Sequence, residues 1–343
     1  MRLGVLDVGS NTVHLLVVDA RRGGHPTPMS ATKASLRLAE TIDSSGKLTR
    51  KGADQLIDTI DEFAKIAASS GCAELMAFAT SAVRDARNSE DVLARVLAET
   101  GVALQVLSGV DESRLTFLAV RRWFGWSAGR IINIDIGGGS LELCNGVDEE
   151  PEVALSLPLG AGRLTREWLP DDPPGRRRVA MLRDWLATEL ADAGAIMLKA
   201  GSPDLAVATS KTFRSLARLT GAAPSGAGPR VKRTLTATGL RQLIAFISRM
   251  TAADRAELEG VSAERAPQIV AGALVAEASM RALAVESVDI CPWALREGLI
   301  LRKLDSEADG TALVETSVRD AKEAAGGASA PTQKVARPRG NTR

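Results

Sequence analysis

Two stretches of this sequence combine the residue types that bind phosphate. Leu6-Asp7-Val8-Gly9-Ser10-Asn11-Thr12 and Ile134-Asp135-Ile136-Gly137-Gly138-Gly139-Ser140 align at an offset of 128 positions, and each lies between two apolar runs. Glycines let backbone N–H groups approach an anion, and Ser, Asn and Thr side chains add donors, so each turn reads as a concave anion nest. The aspartate closing each first run is a hard oxygen donor suited to Mg²⁺, which prefers carboxylates combined with substrate phosphates. One Asp-x-Gly turn alone equally fits a plain hairpin. Two copies in the same strand-turn-strand context predict two related units whose turns line one cleft.

A carboxylate near such a cleft could orient water for in-line attack on phosphorus, where positioning and charge neutralisation matter most. Glu112 opens the segment Asp111–Phe124 and can do this, although an acidic residue in a first helical turn also suits the macrodipole. Glu142 follows the second turn. Its repeat partner is His14, which reads as structural.

Composition removes several alternatives. The 343 residues hold two histidines, no tyrosine and three cysteines without a C-x-x-C pair, so neither a His-rich metal cage, a structural zinc site nor a disulfide framework is encoded. Aromatic residues make up 3%, too few for base-stacking platforms, and no nucleic-acid partner is expected. Lys plus Arg number 43 against 42 Asp plus Glu, so an anion site must come from local placement. No uncharged run exceeds 11 residues, and the N-terminal apolar stretch breaks at Asp7. These features predict no membrane association, a cytoplasmic location and reduced thiols.

The elements that must position these residues follow from periodicity. Strands are expected at Leu3–Val8, Val13–Asp19, Glu74–Ala79, Ala103–Leu107, Ile131–Ile136, Leu141–Cys144, Pro151–Leu159, Asp204–Ala208 and Val288–Cys291. Thr49 caps a helix whose face carries Leu56, Ile60, Phe63 and Ala67 and which stops at Gly71. Further helices are expected at Asp111–Phe124, Gly175–Leu198, from Phe213, Thr238–Met250, Ala253–Glu259, Glu264–Ala284 and Trp293–Leu304. Alternation of strands and helices gives an α/β architecture. Residues 305–343 lose apolar periodicity and read as a disordered tail with a basic end.

Beyond the two turns, ATSAVRDARN (79–88), LSGVDESRL (107–115), LPLGAGRLT (157–165) and LREGLI (295–300) occur in order along residues 1–304. Together these motifs resemble the exopolyphosphatase/guanosine pentaphosphate phosphohydrolase (Ppx/GppA) family, in its short two-domain form. The resemblance implies two ribonuclease H-like domains of the actin, Hsp70 and sugar-kinase superfamily with an interdomain cleft. It implies residues 1–125 as the first, with the helix at 293–304 packing back on it, and 126–304 as the second. By the same resemblance Glu112 is the catalytic base and Arg84 grips phosphate. Ser10, Asn11, Thr12, Gly137, Gly138, Gly139 and Ser140 cradle it, with Arg163 and Arg265 as further substrate ligands. Asp135, with Asp7 or Glu142, would hold Mg²⁺ or Mn²⁺, and K⁺ is the associated monovalent ion.

The expected reaction is release of terminal orthophosphate from inorganic polyphosphate by a homodimer. Removal of the 5′ γ-phosphate of guanosine pentaphosphate, a nucleotide of the stringent response, is the alternative, and a non-catalytic nucleotide sensor is the third reading. One departure stands out: Ala208-Thr209-Ser210-Lys211-Thr212 occupies a third turn where the family is richer in glycine, and Lys211 replaces a small residue. Arg296-Glu297 reads as an ion pair tying down the last helix.

Overall fold

The computed structural model describes residues 1–309. The first apolar run forms β1 (Arg2–Val8), which reverses through the Gly9–Asn11 turn into β2 (Thr12–Asp19). A third strand, β3 (Pro28–Ser35), continues the antiparallel meander. It was not expected, because PMSATKAS carries little apolar alternation and is largely exposed. Helix α1 (Arg50–Ser69) is capped by the Thr49 side chain, which accepts from Gly52 N, and buries Leu56, Ile60, Phe63 and Ala67. Strand β4 (Glu74–Ala79), short helix α2 (Ser81–Arg84), α3 (Ser89–Thr100) and β5 (Leu104–Val106) complete a five-stranded sheet ordered β3-β2-β1-β4-β5. Strands β1, β4 and β5 are parallel.

After α4 (Gly109–Phe124) the plan repeats. Strands β6 (Ile131–Ile136), β7 (Leu141–Gly146) and β8 (Val153–Leu157) form the second meander. Helices α5 (Ala161–Trp168) and α6 (Arg176–Lys199) follow, then β9 (Leu205–Thr209) and α7 (Ser210–Leu219). Next come β10 (Thr234–Thr236), α8 (Ala237–Ile247), α9 (Ala252–Ala256), α10 (Ile269–Ala282), β11 (Ser287–Ile290) and α11 (Leu295–Asp309). The second sheet runs β10-β11-β9-β6-β7-β8. The repeat is registered to the residue: Asp7 pairs with His14 as Asp135 pairs with Glu142, and Val8 with Val13 as Ile136 with Leu141.

Strands β1–β5 lie within 1–125 and β6–β11 within 126–304, but two helices exchange sides. Helix α4 places Phe117 and Val120 on the second sheet against Ile131, Cys144 and Val207. Helix α11 places Leu299, Ile300 and Leu304 on the first sheet against Val5, Val18 and Phe78. The two helices meet where Gly298 packs on the backbone of Leu115, with no room for a Cβ. Helix α11 also runs to Asp309, so the first five residues of the expected tail are helical; the remainder of that segment lies outside the described residues. Among the described residues no helix is long and apolar enough to cross a membrane.

Candidate active site

The two phosphate-type turns have the same internal bond: Gly9 N donates to Thr12 O at 3.0 Å, and Gly137 N to Ser140 O at 2.9 Å. They also face each other. A Cβ on Gly138 would sit 3.1 Å from Ser10 Cβ and 3.3 Å from Asn11 Nδ2, and one on Gly139 would collide with Ser81. Glycine at these two positions leaves room for the Ser10, Asn11 and Ser81 side chains to pack on the second turn. The carbonyls of the first turn are taken: Ala39 N donates to Ser10 O, and Leu36 N and Arg37 N donate to Asn11 O. Ser10 Oγ lies 2.7 Å from Ser81 Oγ at the start of α2, a contact the sequence motifs did not flag.

The second turn is clamped from behind by α5. Ala161 N donates to Gly137 O and Arg163 N to Gly138 O, each at 3.0 Å, while Gly160 lies flat on the Gly139–Ser140 peptide, leaving no room for a Cβ. Arg163 Nε donates to Gly139 O at 3.0 Å and its Nη2 pairs with Asp85. The structure therefore gives Arg163 a buttressing position, linking the second turn to the end of α2.

The four acidic candidates, Asp7, Glu112, Asp135 and Glu142, interact electrostatically. Ser108 and Asp111 form a reciprocal cap at the start of α4, the Ser108 side chain accepting from Asp111 N and donating to Asp111 Oδ2. Glu112 is thereby left to face the cleft. Burial pushes its carboxyl up to about 7, against the attraction of Arg84 and with repulsion from Asp135 and Asp7. Arg84 Nη1 donates to Glu112 Oε2 at 3.2 Å and to Leu107 O at 3.2 Å. Glu142 is only 2% exposed, and burial followed by the charges of Glu112 and Asp135 raises its carboxyl well above the ordinary range, though Ser156 Oγ donates to it at 3.0 Å. Burial also raises Asp135, which accepts a short hydrogen bond from Thr209, and Asp7.

The basic side is richer than expected. Arg265 and Arg214 both influence Asp135, and Arg296 influences Asp7 and His14. Burial, followed by the charges of Arg296, Lys211, Lys33 and Arg265, pushes His14 down to about 3, so it is neutral and takes no acid–base part near neutrality. Arg214 and Arg296 were missed as cleft residues. Arg214 was legible in principle, one helical turn after Lys211 on α7. Arg296 does not pair with Glu297 as expected: Glu297 instead accepts from Ala294 N at 2.8 Å, closing the first turn of α11. Lys211 is exposed at the start of α7, and burial of its ammonium with nearby Lys33, Arg265 and Arg214 lowers it to about 8. Lys33 of β3 pairs with Glu264 at 2.6 Å, tying the loop bearing Arg265 to the first sheet.

Among the described residues no three metal-ligating side chains converge into a cage. A divalent cation shared with a phosphate ligand does not need one, since Mg²⁺ keeps waters and uses one or two carboxylates. Cross-strand partners Asp135 and Glu142, with Asp7 nearby, supply a donor set of the right chemistry, and their mutual repulsion favours a cation.

Comparison with known proteins places this site in context. The model of the Ppx/GppA phosphatase family matches residues 17–307. The chain is 85% identical to exopolyphosphatase 1 of Mycobacterium leprae (strain TN) over 322 residues, 94% of this chain and 95% of that protein. It is 82% identical to exopolyphosphatase 1 of Mycobacterium tuberculosis (strain H37Rv), over 99% of both. Among solved structures, an exopolyphosphatase from Cytophaga hutchinsonii superposes with a TM-score of 0.80 at 23% identity, covering 91% of this chain and 99% of that one. The type II variant of the Aquifex aeolicus Ppx/GppA phosphatase gives 0.70 at 25% identity, covering 88% and 98%. The paired sheets are the actin-like, ribonuclease H-like arrangement that the motifs implied.

Proposed function

The chain belongs to the Ppx/GppA phosphatase family, and on that footing we propose that it is an exopolyphosphatase, a hydrolase releasing terminal orthophosphate from inorganic polyphosphate. The observation that carries the reading is the meeting of the two turns at Gly138 and Ser10, beside a carboxyl held near neutrality on Glu112. The curated relatives most extensively matched above are named for the same activity.

In this reading the terminal phosphate lies between the turns, held by their backbone N–H groups and by Ser10, Asn11, Thr12 and Ser140. Glu112 Oε takes a proton from water as the water oxygen bonds to the terminal phosphorus and the bridging P–O bond breaks. A base whose pKa lies near the working pH suits that transfer. Arg84 holds Glu112 in place through its 3.2 Å contact and offers its remaining N–H groups to phosphate oxygens. Mg²⁺, held by Asp135 with Asp7 or Glu142, would neutralise charge on the phosphates when bound.

The test is phosphate release by the purified protein from polyphosphate and from guanosine pentaphosphate at matched concentrations. A higher kcat/KM on polyphosphate is expected; the reverse order would make the nucleotide the substrate. Glu112→Gln should lower kcat by about 10²–10⁴-fold while still binding polyphosphate. Turnover retained in that variant would remove Glu112 from the role of base, whereas polyphosphate binding without any turnover by the unaltered protein would favour the non-catalytic sensor.

A further inference from the structure

Beside the third turn, α7 and the loops at 222–229 and 259–265 enclose a cavity of about 610 Å³. That size lies within the roughly 300–1,000 Å³ of ligand pockets. Lys211, Arg214, Arg218, Arg233 and Arg265 line it against a single carboxylate, Glu259. Two of the five cations are committed to the fold. Arg218 pairs with Glu259 and donates to Ala222 O, and Arg233 donates to four carbonyls of the surrounding loops.

The other three are poised differently. Lys211 and Arg265 make no side-chain hydrogen bond or ion pair with any described residue, and Arg214 makes one, from Nε to Ser210 O at 3.3 Å. Each is lowered, first by burial, and each is further lowered by at least one neighbouring cation, while Glu264, Glu297 and Asp135 attract them from a distance without forming an ion pair. Arg214 and Arg265 also influence Asp135, so this wall of the cavity adjoins the reaction centre. The lining contains no aromatic ring on which a purine could stack.

We propose that this pocket is a second anion site, in which Lys211, Arg214 and Arg265 hold phosphates of the polyphosphate chain distal to the one being released, and that Lys211 makes affinity grow with chain length. The proposal rests on the polyphosphate reading above and deepens it. A linear anion leaving the two turns past Asp135 meets three cations that form no ion pair, whereas a nucleoside would find no stacking surface. A glycine at position 211 would leave the turn able to cradle phosphate but would remove one of these three cations, the one that does not act on Asp135.

The test separates the pocket from the chemistry by measuring equilibrium binding in the Glu112→Gln background. Triphosphate and polyphosphates of increasing defined length are titrated against E112Q alone and combined with K211A or K211R. Because Lys211 is exposed, its truncation leaves no hole in the core. K211A should weaken long chains by roughly tenfold, the worth of about one charge-assisted contact, and triphosphate by less than about twofold. K211R should restore the length dependence. An equal loss at every length, or no loss at any, would overturn the pocket. Phosphate release by the wild-type protein is measured alongside: failure there refutes the exopolyphosphatase reading, while the binding series still decides the pocket.

Discussion

At the scale of single residues, the site is defined by carboxylates that the fold keeps from ionising freely. Glu112 sits near 7 because burial and the charges of Asp135 and Asp7 outweigh Arg84. As a base it must be deprotonated, so kcat should rise with pH through about 7 and level off above it. In E112Q the residual rate should lose that inflection. A wild-type profile flat from pH 6 to 8 would show that Glu112 does not set the rate. The same shifts have a stability consequence in metal-free protein. Asp7, Glu112, Asp135 and Glu142 are all raised above their unfolded values, so between about pH 4 and pH 7 the folded state binds more protons than the unfolded one. Stability from these groups is therefore fully present at the acidic end and is lost as pH rises through the folded values. Urea unfolding in chelator should show this decline, and excess Mg²⁺ should flatten it if the carboxylates hold the ion. An unchanged slope with Mg²⁺ would argue against a cation at Asp135.

At the scale of elements, the question is what keeps a glycine turn in place. The second turn is held by the N-terminus of α5, and Gly160 is the point of contact. Its φ of −71° suits any residue, so the demand for glycine there is purely one of space. Gly160→Ala should cost about 1–3 kcal/mol and misplace Gly139 and Ser140, lowering activity as well as the urea midpoint. Gly175, at the corresponding position before α6 and with open space around it, should accept alanine almost silently. Equal effects at the two positions would mean the contact with the turn is unimportant. Much of this level was legible in the sequence. Both turns, the strands around them and the Thr49 cap follow from apolar runs broken by Gly and hydroxyl residues. Less visible were β3 and β10: one is polar and exposed, the other is three residues long, and each forms only because a neighbouring strand offers a free edge. The cleft arginines 214 and 296 were hidden for another reason. Each lies on a helix whose facing is set by tertiary packing, and only Arg214, one turn after Lys211, carries a local spacing that could have pointed to the cleft.

At the scale of the whole molecule, what matters is how the two halves are held, since Asp7 and Ser10 belong to one sheet and Asp135 and Gly138 to the other. Two kinds of tie cross between them. The rim carries Lys33–Glu264 and Arg163–Asp85, all with side chains about 30–40% exposed. Pairs of that exposure contribute only about 0–1 kcal/mol each, and less in salt. The interior tie is the crossing of α4 and α11, where α4 packs on the second sheet, α11 packs on the first, and Gly298 rests on the Leu115 carbonyl. Because α4 also carries Glu112, displacement there moves the base relative to both turns. Gly298→Ala should therefore lower stability by about 1–3 kcal/mol and reduce kcat. Lys33→Ala, which opens only the Lys33–Glu264 tie, should stay within about 1 kcal/mol of wild type at moderate salt, with its effect confined to KM. Urea unfolding paired with steady-state kinetics compares them directly. If the rim variant proved the more damaging in both measurements, the halves would be held from the edge of the cleft and not from the helix pair beneath it.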